Sequence, residues 1–248
     1  MALKKYKRVS GFTLVEMAIV LVIIGIILAG IMKGRDIVRG SQVKQFSQGF
    51  AQKWVTIAST YMDKTGQALC DGADNGGRAG QAVDGRMDNV FFGTAAMAGV
   101  YYDNLVQALR DVGITPCTMI KSDLENDTNA LCNGQGYNVF MRTVEGEWTG
   151  KATVVMGLHS KQIGDDTGPY RNVVTFSNVP ADVVQGLDTL IDGQADPANG
   201  ACLLLDNYAD EDADDPPDIL ADPDIEPLTA YPASDGDQFC VIAIVLDY

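Results

Sequence analysis

The stretch Gly11-Phe12-Thr13-Leu14-Val15-Glu16 opens an apolar run that continues to Met32. Residues 12–32 contain a single ionisable side chain, that of Glu16. At about 1.5 Å rise per residue, a helix of this length matches the thickness of a bilayer core. We therefore predict a membrane-spanning helix over residues 12–32.

The residues ahead of this helix predict its orientation. Lys4, Lys5, Lys7 and Arg8 precede it, and residues 1–11 contain no acid. Positive charge beside the first apolar segment holds that end of a membrane protein in the cytoplasm. The chain beyond Lys33 is therefore expected on the opposite side of the membrane.

Glu16 is the unusual residue of the apolar run. A carboxylate costs roughly 2.5 to 3.5 kcal/mol at mid-bilayer and less near the interface. Two interpretations follow from the residue itself: its carboxylate reaches the polar edge of the membrane, or it meets a partner within the apolar layer.

The run Gly11 to Glu16, behind a short basic leader and ahead of an uninterrupted apolar helix, resembles the type III signal of type IV prepilins and type II secretion pseudopilins. The resemblance covers residues 1 to about 60. It implies that a prepilin peptidase cuts between Gly11 and Phe12 and methylates the new Phe12 amine. It also implies that Glu16 pairs with the N-terminal amine of a neighbouring subunit during assembly, so that Phe12 and Glu16 are assembly residues.

The same resemblance implies a structural function, and no nucleophile or metal motif in the sequence indicates an enzyme. The expected protein is a structural subunit of an extracellular type IV pilus-like filament or of a type II secretion pseudopilus, a helical homo-oligomer built by inner-membrane assembly machinery. It would cross the inner membrane once before assembly and then enter the extracellular filament or periplasmic pseudopilus. The alternative function is a low-copy tip or adhesin pilin that acts as a binding module. A competing interpretation of the N-terminus is an ordinary secretory signal removed near Ala29-Gly30, although such signals have apolar cores of about 7 to 15 residues.

Three regions follow from the pattern: a leader over residues 1–11, a helix over 12–64 and a head over 65–248. The helix continues past the apolar run, because six apolar residues recur at spacings of three and four and form one stripe. Gly66 is expected to end it. The stripe consists of Val43, Phe46, Phe50, Trp54, Ile57 and Tyr61.

The head is expected to combine helices with an antiparallel sheet, which makes the fold α+β and pilin-like. One short helix is predicted from Asp103 as its N-cap to Gly113, with Leu105, Val106, Leu109 and Val112 as its apolar face. Another is predicted after Pro180, ending at Gly193, with Val183, Val184, Leu187, Leu190 and Ile191 as its apolar face. The predicted strands are 137–144 and 153–156, which form a hairpin around residues 145–147, together with 171–176, 202–205 and 239–246.

The charge is strongly acidic. The formal net charge is −15, and loss of residues 1–11 would make it −19. Arg171 is the last basic residue, and seventeen Asp or Glu follow it. No nucleic-acid partner is expected, because polyanions are repelled from such a surface.

The region from Asp206 to Asp237 concentrates this charge, with twelve acids, no base and five prolines. It is expected to be a surface loop, since proline and like charges oppose packing. Two interpretations remain open: a solvated loop, or a weak calcium site. The candidate calcium ligands are Asp210, Asp212, Asp214 and Asp215. Residues Asp71, Asp74 and Asn75 also offer oxygens, but their spacing favours a turn.

Five cysteines in an exported chain indicate disulfides, with one thiol left over. The predicted pairs are Cys117 with Cys132, which closes a polar loop, and Cys202 with Cys240, on two strands. Cys70 remains. His159, the single histidine, lies beside a strand without a recognisable catalytic partner and is expected to be structural.

Overall fold

The computed structural model describes residues 13–92, 104–120, 139–146, 148–164, 168–205, 224–225, 227–232 and 239–248. Its first element is a helical run made of helix α1, Leu14–Phe46, one wide turn of π-helix, Ser47–Ala51, and helix α2, Gln52–Thr65. Gly66 ends the run in the left-handed conformation, at φ +72°. The predicted long helix and its glycine stop are confirmed, whereas the spacing of apolar residues did not predict the π-turn.

The chain divides into two compact units, Met1–Gly40 and Ser41–Tyr248. In the first unit, the large apolar side chains of the described helix are exposed, from Leu14 to Val38. Among the described residues, Leu14–Thr65 is the one helix long and apolar enough to cross a bilayer. A helix that is apolar on all sides requires lipid or other protein around it, because water would contact its whole apolar surface.

In the second unit, the predicted stripe forms the centre of the core. Its six side chains are at most 7 % exposed. Phe50 meets Phe176 of the sheet with ring centroids 5.5 Å apart, and Trp54 stacks on Phe140 at 5.3 Å. The Trp54 indole N–H donates to the Val139 carbonyl at 2.9 Å, so the one polar atom of this buried ring is satisfied.

Within the described residues, the sheet has seven strands. They are β1, Val90–Phe91; β2, Met141–Glu145; β3, Lys151–Ile163; β4, Tyr170–Pro180; β5, Cys202–Leu205; β6, Asp224–Ile225; and β7, Phe239–Val245. The strand order is β1-β3-β4-β7-β5, with β2 and β6 also paired to β3. All pairs are antiparallel except β3 with β6. The α+β architecture, the hairpin and the three later strands are confirmed.

Alternation along the strands gives the sheet two apolar faces. One face contributes Met156, Leu158, Val174, Phe176 and Ile242 to the main core with the helical stripe. The other face carries a smaller apolar cluster of Val173, Leu203, Leu205, Val241 and Ala243. The head therefore packs apolar residues on both sides of its central strands.

The two predicted short helices are present among the described residues, whereas the short helix that begins at Pro116 was not predicted. Helix α3 spans residues 104–111 and α4 spans Pro116–Met119. Helix α5, Ala181–Asp192, follows Pro180 and ends at Gly193, as predicted. Leu190, however, is 38 % exposed, so the apolar face predicted for this helix is not buried along its whole length. The predicted N-cap Asp103 lies outside the described residues.

Part of the acidic region packs against the head. Strand β6 pairs in parallel with Gln162 and Ile163 of β3, and the Leu228 N–H donates to the Leu204 carbonyl at 2.8 Å. The Tyr231 hydroxyl donates to the Asp188 carboxylate of α5. The prediction of a surface loop over the whole of 206–237 is therefore wrong for these described residues, because Leu228 and Tyr231 supply apolar surface for packing.

Candidate functional site

The described chain begins with a reciprocal cap on helix α1. The Thr13 backbone N–H and hydroxyl both donate to Glu16 Oε2, at 2.7 and 2.8 Å. In return the Glu16 N–H donates to Thr13 Oγ1 at 3.2 Å. This is a capping box, in which Thr and Glu three residues apart satisfy N–H groups at a helix start. The T-x-x-E spacing was visible in the sequence, but its capping role was missed.

The helix that carries this carboxylate exposes apolar side chains on both sides of it and along the turns that follow. Leu14 is 86 % exposed, Val15 64 % and Met32 70 %. Exposed apolar area of this extent marks a surface for lipid or protein. The predicted processing residues Gly11 and Phe12 lie outside the described residues, so their roles remain predictions.

Comparison with known proteins identifies the signal at this end of the chain. A family model described as the prokaryotic N-terminal methylation motif matches residues 6–32. No curated protein and no solved structure matches the chain. The chain thus carries the type IV pilin and pseudopilin signal over residues 6–32. The motif implies processing by prepilin peptidase and is consistent with membrane anchoring before assembly.

In the loop after Gly66, carboxylates accept hydrogen bonds from backbone N–H groups of the same loop. Asp71 is buried and accepts from the Asp84 and Gly85 N–H groups at 3.0 and 2.8 Å. Asp88 Oδ2 accepts from the Gly72 and Arg78 N–H groups at 2.9 and 2.7 Å. These bonds favour the turn interpretation of this loop over a calcium site, because both carboxylate oxygens of Asp71 already have donors.

The tentative calcium ligands Asp210, Asp212, Asp214 and Asp215 lie outside the described residues. Within the described ranges, no group of three or more His, Cys, Asp or Glu is placed to hold a metal ion. Calcium binding by the acidic region therefore stays a prediction.

The cysteines differ from the predicted pairing. Cys117 is disulfide-bonded, and its predicted partner Cys132 lies outside the described residues. Cys70, Cys202 and Cys240 are buried thiols, so the predicted bond between Cys202 and Cys240 is wrong.

Strand register explains that error. Cys202 lies opposite Ile244, four residues along β7 from Cys240. Four residues of a strand span about 13 Å, whereas the Cα atoms of a disulfide are about 4.4 to 6.8 Å apart. The sequence showed two apolar strands with one cysteine each, but not their register.

His159 is buried in the middle of β3, on the face opposite the helical stripe. Its side chain is 1 % exposed, and neither ring nitrogen has a hydrogen-bond partner in the part of the chain that the structure describes. Burial and the nearby Lys161 ammonium lower the pKa of His159 to about 3, so the ring is neutral at physiological pH. Gly157 makes room for the ring, since a Cβ there would lie 2.4 Å from His159 Nε2. These contacts fit the structural role expected for this residue.

Proposed function

We propose that this chain is a structural subunit of a type IV pilus-like filament or of a type II secretion pseudopilus. The observation that carries the proposal is the methylation signal at residues 6–32, continuous with a helix whose apolar side chains from Leu14 onward are exposed. A helix of this kind resides in the membrane before assembly. In a filament, the equivalent helices of neighbouring subunits would cover one another.

The capping box explains how one carboxylate serves both states. In the single chain, Glu16 already has donors from Thr13, which reduces the cost of keeping it beside lipid. During assembly, the Phe12 ammonium of a neighbour would supply a charged donor. An ion pair offsets the burial of both charges better than either could be offset alone. Glu16 is thus proposed to exchange a local donor for an intermolecular one.

To test the proposal, filaments are purified from cells that express the chain and are analysed by mass spectrometry. The first result is the identity of the mature N-terminal residue, which we expect to be a methylated Phe12. A chain that starts near Gly30, or an uncut Met1, would overturn the proposal.

The second result is the molar fraction of filament protein that this chain contributes. A structural subunit dominates the filament, whereas the alternative function, a tip or adhesin pilin, is present in few copies per filament. If the chain is correctly processed but makes up only a trace of the filament protein, the result would support the tip or adhesin pilin instead.

A further inference from the structure

The hairpin β2–β3 and the end of helix α1 form a groove of about 340 Å³. We call this the hairpin groove; it is lined by Gln42, Gln45, Phe46, Arg142, Thr143, Val144, Glu145 and Lys151. Two cations and two amides face one acid, so the lining is net positive. The Arg142 guanidinium lies over the π-turn, 3.6 Å from where a Cβ of Gly49 would be. The guanidinium thus lies within ordinary van der Waals distance of the π-turn at position 49.

A large exposed aromatic residue sits in the turn of the same hairpin. Trp148 is 39 % exposed. Described residues on both sides of it are held by hydrogen bonds: the Gly146 N–H donates to the Gly150 carbonyl at 2.8 Å, and the Thr149 hydroxyl donates to Asp182 at 2.8 Å. Tryptophan and arginine are the residue types most enriched among interface positions that dominate binding energy, and a rigid support lowers the entropy lost on binding.

The complementary charge lies in the same chain. Residues 172–248 contain seventeen Asp or Glu and no Lys or Arg. The lining residues of the hairpin groove come from α1, β2 and β3, and none comes from the described part of 172–248. Within one chain, Asp182 already bonds Thr149 in the turn rather than lining the groove. A second copy could supply an acidic partner for the groove itself, since a homo-oligomer holds copies of the same acidic region at high local concentration.

We propose that the hairpin groove and Trp148 bind the acidic C-terminal part, residues 172–248, of a second copy of this chain. The inference rests on the proposed filament function and adds to it a specific contact between heads. Trp148 supplies apolar area at the contact, while Arg142 and Lys151 select an acidic partner and make the contact weaken with salt.

The test places the photo-crosslinking amino acid p-benzoylphenylalanine at position 148 of the full chain in filament-forming cells. Tyr170, which is also 39 % exposed, is the matched control position. Because Arg171 is the last basic residue, trypsin leaves residues 172–248 as one fragment, which makes the partner segment easy to identify. We expect a covalent dimer that joins position 148 to this fragment, at least about tenfold more abundant than from position 170.

A crosslink only within one chain, a crosslink to a different protein, or equal dimer yields from both positions would each overturn the inference. If the wild-type chain formed no filaments, the proposed function would fail first. If filaments formed normally and position 148 gave no such dimer, only the inference would fail. The two failures are therefore distinguishable.

Charge variants give a second readout on the same contact. Starting from the chain with the crosslinker at position 148, Lys151→Glu is expected to lower the dimer yield several-fold, and Lys151→Arg is expected to preserve it. Lys151 is an exposed end residue of β3, so neither change affects the core. Equal dimer yields from the two variants would contradict the role of charge.

Discussion

The Glu16 carboxylate accepts two hydrogen bonds from Thr13, one from its backbone N–H at 2.7 Å and one from its hydroxyl at 2.8 Å. This carboxylate therefore has hydrogen-bond donors within a single chain, and it lies in the first turn of an apolar helix. Two functions of Glu16 must then be separated, the local cap and the proposed pairing between subunits.

Glutamine at position 16 separates these functions, because its amide oxygen can still accept in a capping box but carries no charge. We expect Glu16→Gln and Glu16→Ala to insert into the membrane at wild-type levels and to assemble few or no filaments. Filament counts and membrane fractionation measure both effects. Normal assembly of Glu16→Gln would show that the cap alone is sufficient and would refute the pairing role.

Trp54 is expected to be a major contributor to the stability of the head. Trp54→Phe keeps an aromatic ring against Phe140 but removes the donor to the Val139 carbonyl and leaves a small void. We expect a loss of about 1 to 3 kcal/mol in the free energy of unfolding. Denaturant unfolding of the full chain in detergent measures this loss. Trp148→Phe, at an exposed position, is the control and should change stability by about 0.5 kcal/mol or less.

The buried His159 predicts a loss of stability in acid. Its pKa is about 3 in the folded chain and about 6.5 when unfolded, so the unfolded state binds the proton more tightly. The neutral ring's contribution is therefore complete above pH 6.5 and declines as pH falls toward 3. The slope is at most about 1.4 kcal/mol per pH unit.

His159→Gln cannot gain this proton and is the appropriate comparison. The difference in unfolding free energy between wild type and His159→Gln should shrink or change sign between pH 7 and pH 4. A difference independent of pH would show that His159 is accessible to protons in the folded chain.

The calcium hypothesis for the acidic region makes a thermal prediction. Calcium at a hundred times its dissociation constant would stabilise the folded chain by about 2.7 kcal/mol and raise the melting temperature by several degrees. Replacing Asp210, Asp212, Asp214 and Asp215 with Asn should remove that shift. Melting and limited proteolysis of the full chain, in millimolar calcium and in chelator, test it. Identical results in both conditions would leave the solvated-loop interpretation.

Much of this fold follows directly from local patterns. The stripe from Val43 to Tyr61 was predictable because helical spacing fixes which side chains share a face. Gly66 and Gly193 were predictable as helix ends because glycine adopts positive φ without a steric penalty, and helices often end in that conformation. Both residues do adopt positive φ in the structure.

Other features depend on long-range packing that no local pattern reveals. The strand predicted over 153–156 extends to Ile163, because His159, Ser160 and Lys161 are buried in the sheet although they break the apolar pattern. The parallel pairing of β6 with β3 and the register of Cys202 likewise depend on residues far apart in the chain. At the candidate site, the sequence identified Glu16 but not its bonds to Thr13.

The three buried thiols determine how this protein must be handled once it unfolds. Cys70, Cys202 and Cys240 share the chain with the disulfide at Cys117, and burial raises the pKa of the Cys70 and Cys202 thiols. Native packing thus keeps the reactive thiolate scarce and the three thiols shielded from solvent. Heating in alkaline buffer would remove both protections and allow disulfide exchange, so chains would become trapped with non-native pairs. Reversible refolding is therefore expected at mildly acidic pH and should be lost progressively above pH 8.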